Sequence, residues 1–256
     1  MKNNDIKGFW ENRALKHKTS PAASWEDITF IQRENRILLK LIPSDSKNIL
    51  DMGCANGYTS FFLASKNINF CVEGIDFSKE MINYANKTRG NLTDELQSRL
   101  SFKEADIRSS PLKENYYDAI ISKRVLINLI KNSEKELAIE NMHKSLKDGG
   151  YLILSEATKD GLKEINILRE RFKLERLKEP WHNDYLCEEW IEKVIKEKFE
   201  LIKVVQFSGT YYLGTRVIYP LLIKNLKFNT NYHKILSRLP SLPKYSLQKV
   251  FVLKKI

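Results

Sequence analysis

Asn48-Ile49-Leu50-Asp51-Met52-Gly53-Cys54-Ala55-Asn56-Gly57 is the stretch on which the reading of this chain turns. It opens as an apolar strand, ends that strand on an acid, and passes through Gly-x-Ala-x-Gly into the amphipathic run Tyr58 to Ser65. Small residues at 53, 55 and 57 let the backbone approach a ligand closely and adopt dihedrals that a side chain would forbid. Spacing separates the nucleotide folds that share such turns. A dinucleotide fingerprint, Gly-x-Gly-x-x-Gly, needs glycine at 58, where Tyr58 stands. Gly-x-x-x-x-Gly-Lys-Ser/Thr does not occur either, which removes the common nucleotide-triphosphatase reading.

Outward from this turn, short apolar runs alternate with helical stretches from about residue 48 to 156, the pattern of βαβ units and a mostly parallel sheet. Phe70 to Ile75 reads as a second strand and Leu100 to Ala105 as a third. Tyr117 to Ser122 reads as a fourth, with Ala119, Ile120 and Ile121 in a row as in a strand buried on both faces. Ser78 caps a helix in which Met81, Ile82 and Ala85 recur at helical spacing. Ser133 with Glu136 forms a capping box and Gly149-Gly150 punctuates the far end, predicting a helix over 134–147 before a fifth strand, Tyr151 to Ser155. Leu201 to Phe207 and Gln248 to Leu253 are expected to close the sheet. The pattern predicts one domain over 1–256, in which a stretch at 1–45 precedes a ligand-binding core at 46–156, with insertions at 157–187 and 208–246 of the length that lids and binding loops have.

Asp76 closes the second strand, 25 residues after Asp51, and Asp106 follows the third. Carboxylates at the carboxyl ends of adjacent parallel strands line one crevice, where they repel phosphate and favour a cationic, nucleoside-bearing ligand. Composition sets outer limits: 42% hydrophobic and 29% charged residues exclude a disordered chain, and no apolar run reaches the length of a membrane-spanning helix. The start, Met1-Lys2-Asn3-Asn4-Asp5, leads into no signal-peptide core. Cys54, Cys71 and Cys187 are odd in number and far apart, which argues against a disulfide framework or a metal site and points to the cytoplasm. Charge is uneven. Residues 1–199 hold 33 Lys/Arg against 31 Asp/Glu, whereas residues 200–256 hold ten against one, so +9 of the net +11 falls in the last 57 residues. That field favours an anionic partner (a phosphorylated small molecule, nucleic acid or acidic membrane surface), unless it is only a lysine-rich surface habit.

Leu50 to Gly57, Gly74-Ile75-Asp76-Phe77-Ser78, Ala105-Asp106-Ile107 and Leu146-Lys147-Asp148-Gly149-Gly150-Tyr151-Leu152, four motifs in order, together resemble class I S-adenosylmethionine-dependent methyltransferases. The resemblance implies an α/β, Rossmann-like fold: a seven-stranded sheet, mostly parallel with the last strand antiparallel, and helices on both faces. It also implies S-adenosylmethionine lying across the ends of the first four strands. Gly53, Ala55 and Gly57 would then approach the methionine part, with Asp51 at the end of the first strand. Asp76 would hold the ribose hydroxyls, Phe77 and Met81 would pack on adenine, and Asp106 would accept from the adenine amino group with Ile107 beside it. Lys123 would supply backbone contacts near the sulfonium. Phe9-Trp10-Glu11-Asn12-Arg13-Ala14 resembles a helix folded over the cofactor, with Arg13 on the methionine carboxylate. Ala55 replaces a more usual glycine, and Asn128 stands where many relatives have His.

The acceptor side is read from residue chemistry alone. His182, in Pro180-Trp181-His182-Asn183, is a candidate base because an ordinary imidazole titrates in the range that suits a hydroxyl, though it could equally cap a loop. Glu156, after the fifth strand, is the second candidate. The run Phe207 to Pro220, carrying Tyr211, Tyr212 and Arg216, resembles the acceptor cap of bacterial methyltransferases of capsule and surface-polysaccharide synthesis, which implies a small sugar or phosphate-bearing acceptor. An RNA methyltransferase using the basic C-terminal third and a non-catalytic cofactor-binding subunit remain as other readings.

Overall fold

The protein is described by a computed structural model that covers residues 2–225 and 227–256, with side chains from Ile6 onward. Met1, in the start expected to lack a signal-peptide core, and Leu226, in the second expected insertion, lie outside the described residues. The strands are β1 (Asn48–Met52), β2 (Cys71–Asp76), β3 (Leu100–Glu104), β4 (Tyr117–Lys123), β5 (Leu146–Ala157), β6 (Phe199–Val205) and β7 (Gln248–Lys255). They form one sheet in the order β3-β2-β1-β4-β5-β7-β6. The pairs from β3 to β5 are parallel, and β7 runs antiparallel to both β5 and β6. Strand order reverses between β1 and β4, which opens a crevice at their carboxyl ends.

The helices are α1 (Lys2–His17), α2 (Ile28–Leu41), α3 (Tyr58–Lys66), α4 (Lys79–Arg89), α5 (Asp94–Ser98), α6 (Asn132–Ser145), α7 (Lys159–Arg171), α8 (Glu188–Ile195), α9 (Gly209–Tyr212), α10 (Tyr219–Leu222) and α11 (Asn231–Leu236). A six-residue π-helix, Leu213–Ile218, joins α9 to α10. The apolar run Ala119-Ile120-Ile121 is fully buried, as a strand covered on both faces requires. Ser78 accepts from the N–H of Met81 and so caps α4 as its sequence predicts.

Three local expectations differ. The helix that was to start at 134 begins at Asn132, so Ser133 lies inside its first turn and no side chain caps it. Gly149-Gly150 lies within β5 rather than ahead of it: Leu146 already pairs with Tyr117, and the register then slips before Ala119 meets Tyr151. β6 ends at Val205, because Phe207 leaves the sheet to pack on Phe30 of α2, ring centres 5.5 Å apart.

The N-terminal segment is fastened over the crevice by polar contacts. Glu11 accepts from the N–H groups of Lys79 and Glu80 at 2.9 and 3.0 Å, satisfying orphan donors at the start of α4. Asn56 donates its side-chain amide to the carbonyls of Lys18 and Ser20 at 2.9 and 2.7 Å. The glycine turn is thereby tied to the α1–α2 connection.

Candidate active site

The turn after β1 holds three consecutive alternate residues in left-handed backbone: Gly53 at φ 78°, Ala55 at 48° and Gly57 at 80°. A Cβ on Gly53 would run into the Val125 side chain, and one on Gly57 would meet the Phe61 and Phe102 rings at 2.8 and 2.9 Å. Ala55 adopts this conformation at a cost that glycine would avoid. Its N–H donates to Asp76 at 2.9 Å, as does that of Ser78, so one carboxylate clamps the β1 turn to the β2 turn. Asp51 accepts from the Ser60 hydroxyl at 2.6 Å. Both acids are buried, and among the described residues neither enters an ion pair. Burial raises the Asp51 carboxyl above its ordinary range and pushes Asp76 up to about 6.

A cavity of about 310 Å³ lies against these groups, lined by Asp51, Gly53, Ala55, Asp76, Phe77, Met81, Asp106 and Ile107, with Ile6 and Trp10 of α1 closing it. The structure thus brings together most of the residues expected to hold the cofactor. Lys123 also lines it, but its ammonium turns to the Asn35 and Thr59 side chains, and burial lowers it to about 8. The Asp106 carboxylate is engaged by Arg108 (2.6 Å from Nη2), whose hydrogen bonds hold it below the usual carboxylate range. It borders the cavity as half of an ion pair, which the sequence reading did not foresee.

Arg13 corrects its expected place. Its guanidinium donates to the carbonyls of Ala22 and Ala23 and lines a second, adjoining cavity rather than the first. Trp10, Ser24, Arg124 and Asn128 line both, so the two spaces share a wall. His182, Tyr212 and Arg216 also line the second cavity. The His182 ring stacks on Phe9, 4.2 Å between centres, and its Nδ1 is buried with no hydrogen-bond partner among the described residues. Burial, then the nearby Arg13 charge, lowers it to about 4, far below the range assumed for a base.

Three expected residues, Gly57, Glu156 and Tyr211, fall outside both cavities. Glu156 is fully buried, and its carboxylate accepts from the N–H groups of Val125 and Leu126 at 2.9 and 3.0 Å; burial pushes it up to about 8. It shapes the chain after β4 instead of facing the acceptor. Tyr211 is also fully buried, donating to Asp27 at 2.6 Å. Asp27 pairs in turn with Arg216 at 3.3 Å, so Tyr211 positions a cavity residue without lining the cavity.

Arg124 is the main residue that sequence reasoning missed. It sits at φ 56° just past β4, pairs with buried Glu34 and lies over the Trp25 ring at 5.1 Å. Its position at the carboxyl end of a strand beside the order reversal was the available signal. Asn128, noted only as a departure, accepts from the Trp10 indole at 3.2 Å and donates to the Arg124 carbonyl at 2.7 Å, joining α1 to the shared wall.

The chemistry of the first cavity fits S-adenosylmethionine: two buried carboxylates that enter no direct ion pair among the described residues, a glycine turn with no room for added side chains at 53 and 57, and an apolar slot between Phe77, Met81 and Ile107. Residues 43–209 match the family model described as a methyltransferase domain. An O-methyltransferase of Pyrenophora dematioidea is 26% identical over 60% of this chain and 53% of its own length. A malonyl-[acyl-carrier protein] O-methyltransferase of Ilyobacter polytropus is 28% identical over 71% of this chain and 66% of its own. The chain thus spans between about half and two thirds of these relatives. Among solved structures, the N-methyltransferase NodS of Bradyrhizobium japonicum, bound to S-adenosylhomocysteine, superimposes with a TM-score of 0.54 at 17% identity, covering 88% of this chain and 87% of that one. The chain belongs to the methyltransferase domain family.

Proposed function

We propose that the protein methylates an oxygen of a small anionic acceptor held in the second cavity. The observation that carries this reading is the charge of that wall: Arg13, Arg124, Lys178 and Arg216 line it, and among the described residues no carboxylate does. Their acids, Glu26, Glu34 and Asp27, stand behind them and leave the cationic side facing the space. Trp10, Trp25, Tyr185 and Tyr212 supply apolar and aromatic surface beside these cations, suited to a sugar ring. A phosphate-bearing sugar precursor of capsule or surface-polysaccharide synthesis has this chemistry, and the enzyme would meet it in the cytoplasm.

On this reading Asp76 binds the ribose hydroxyls, Asp51 faces the cationic end, and Phe77, Met81 and Ile107 enclose the adenine, with the Asp106–Arg108 pair at its edge. The bound cofactor supplies a methyl group on a positively charged sulfur. The chain contributes alignment of the two cavities across Trp10, Arg124 and Asn128, and exclusion of water by α1. An acceptor oxygen that is already ionised needs no proton removed. That suits a wall whose imidazole, His182, is held at about 4 and is therefore neutral but weakly basic at neutral pH. The buried Nδ1 of His182 is then a hydrogen-bonding group for the acceptor rather than a strong base.

The test is methyl transfer from labelled S-adenosylmethionine to a panel of sugar phosphates, carboxylates and their neutral counterparts. Label entering only anionic members supports the reading; label entering only neutral alcohols or amines overturns it.

A further inference from the structure

Residues 218–225 and 227–245 form a lobe with its own interior. Tyr219 stacks on Tyr232 at 5.3 Å, both meet buried His233, and Phe228 packs at 6.2 Å from the same imidazole. Leu236 fills the space under Gly214, and the carbonyls of Leu242 and Lys244 lie against Gly209. With these groups turned inward, the outer side is left strongly apolar. Eight of the 18 exposed large hydrophobic residues among the described residues fall between 218 and 242, about a tenth of the chain. Leu222 is 71% exposed and Ile235 61%, with Leu221, Ile223, Phe228 and Leu242 beside them in sequence.

Interleaved with them are Lys224, Lys227, Lys234, Arg238 and Lys244, all exposed, and from 201 to 256 the sequence holds no Asp or Glu. None of the five is in an ion pair among the described residues. We propose that this lobe docks the enzyme on an anionic lipid bilayer, its aliphatic side chains entering the headgroup boundary and its lysines meeting lipid phosphates.

The composition selects this occupant. Protein interfaces deplete lysine at their centre, whereas here lysine alternates with leucine and isoleucine. Single-stranded nucleic acid is gripped by aromatic stacking, and the exposed apolar groups here are almost all aliphatic. No helix among the described residues is long and apolar enough to cross a membrane, so the contact is a surface one. The lobe touches one residue of the second cavity's wall: Arg216 lines that cavity and lies over the Phe228 ring at 5.1 Å.

Flotation of the full chain with vesicles of phosphatidylcholine, with and without phosphatidylglycerol, tests the proposal and requires neither cofactor nor acceptor. Binding is expected only with the anionic lipid, weakening as salt rises. The double variants Lys224→Glu/Lys234→Glu and Leu222→Glu/Ile235→Glu should each weaken it by at least about tenfold. Ile68→Glu, which changes a residue 70% exposed outside the lobe, should leave it unchanged. Wild-type protein that fails to float with anionic vesicles overturns the proposal whatever the variants do. Equal binding by the Lys224→Glu/Lys234→Glu variant also overturns it, as does light scattering that shows a dimer dissociated by Leu222→Glu in protein that ignores vesicles.

Discussion

The two adjoining cavities are built in opposite ways. The first sits on the ends of parallel strands, and its acids Asp51 and Asp76 are positioned by the sheet register and by turns a few residues long. The second is assembled from α1, the end of β4, the segment after α7 and the π-helix, and cations line it. Trp10, Arg124 and Asn128 are common to both. The contrast is one of origin: the acids of the first cavity belong to strand ends, whereas the cations of the second come from α1, the end of β4, the segment after α7 and the π-helix.

The largest effect should come from Asp76. Asp76→Asn removes the charge but keeps the shape, and should weaken S-adenosylmethionine binding at least about tenfold, with Asp76→Ala losing more because the clamp on Ala55 and Ser78 goes too. If calorimetry found the Asn variant unchanged, the acids would not be what distinguishes the first cavity. Arg216→Ala should do the converse. It should raise KM for an anionic acceptor by about tenfold or more while cofactor affinity stays within about twofold.

A pH series sharpens the same contrast. Asp76 titrates near 6 in the folded, empty protein, above its ordinary 3.8, so ionising it costs stability that is present at low pH and lost as pH rises through about 6. A bound cation favours the ionised form. Cofactor affinity, and the Tm increase that the cofactor produces, should therefore shrink as pH falls from neutral to 5. A Tm increase that is flat or grows over that interval would contradict the assignment.

The smallest effect is expected from Glu156. Its carboxyl, held at about 8, is protonated in the folded protein at pH 5, where Glu156→Gln should change stability by less than about 1 kcal/mol, whereas Glu156→Ala strands two N–H groups and should cost about 2 kcal/mol. Between about pH 4.5 and 8 the wild type should lose stability relative to the Gln variant, since the unfolded carboxyl gives up its proton over that interval while the folded one keeps it. Urea titrations at pH 5 and 8 measure both differences.

The legibility of the chain follows the same division. β1 to β4 could be read because each is short, apolar and ends at an acid or a turn residue, signals contained within about ten residues. The Ser133–Glu136 pattern misled because a capping box specifies a helix start only when no earlier residue can take that place, and the backbone here turns helical at Asn132. Sequence could not show that Tyr211 spends its hydroxyl on Asp27, or that His182 stacks on Phe9, because each pairing spans more than 170 residues. Glu156 looked catalytic from its place after a strand, and only the fold reveals that its partners are the N–H groups of Val125 and Leu126. Arg13 is nearer to home, but the Ala22 and Ala23 carbonyls take its donors through a short 3₁₀ turn, Pro21–Ala23.

The most direct measurement is a calorimetric titration of the full chain, the Asp76→Asn variant and the Arg216→Ala variant with S-adenosylmethionine. The account predicts one-to-one binding to the wild type, a similar isotherm for Arg216→Ala and a much weaker one for Asp76→Asn. Absence of binding to the wild type, or loss in Arg216→Ala with retention in Asp76→Asn, would contradict it.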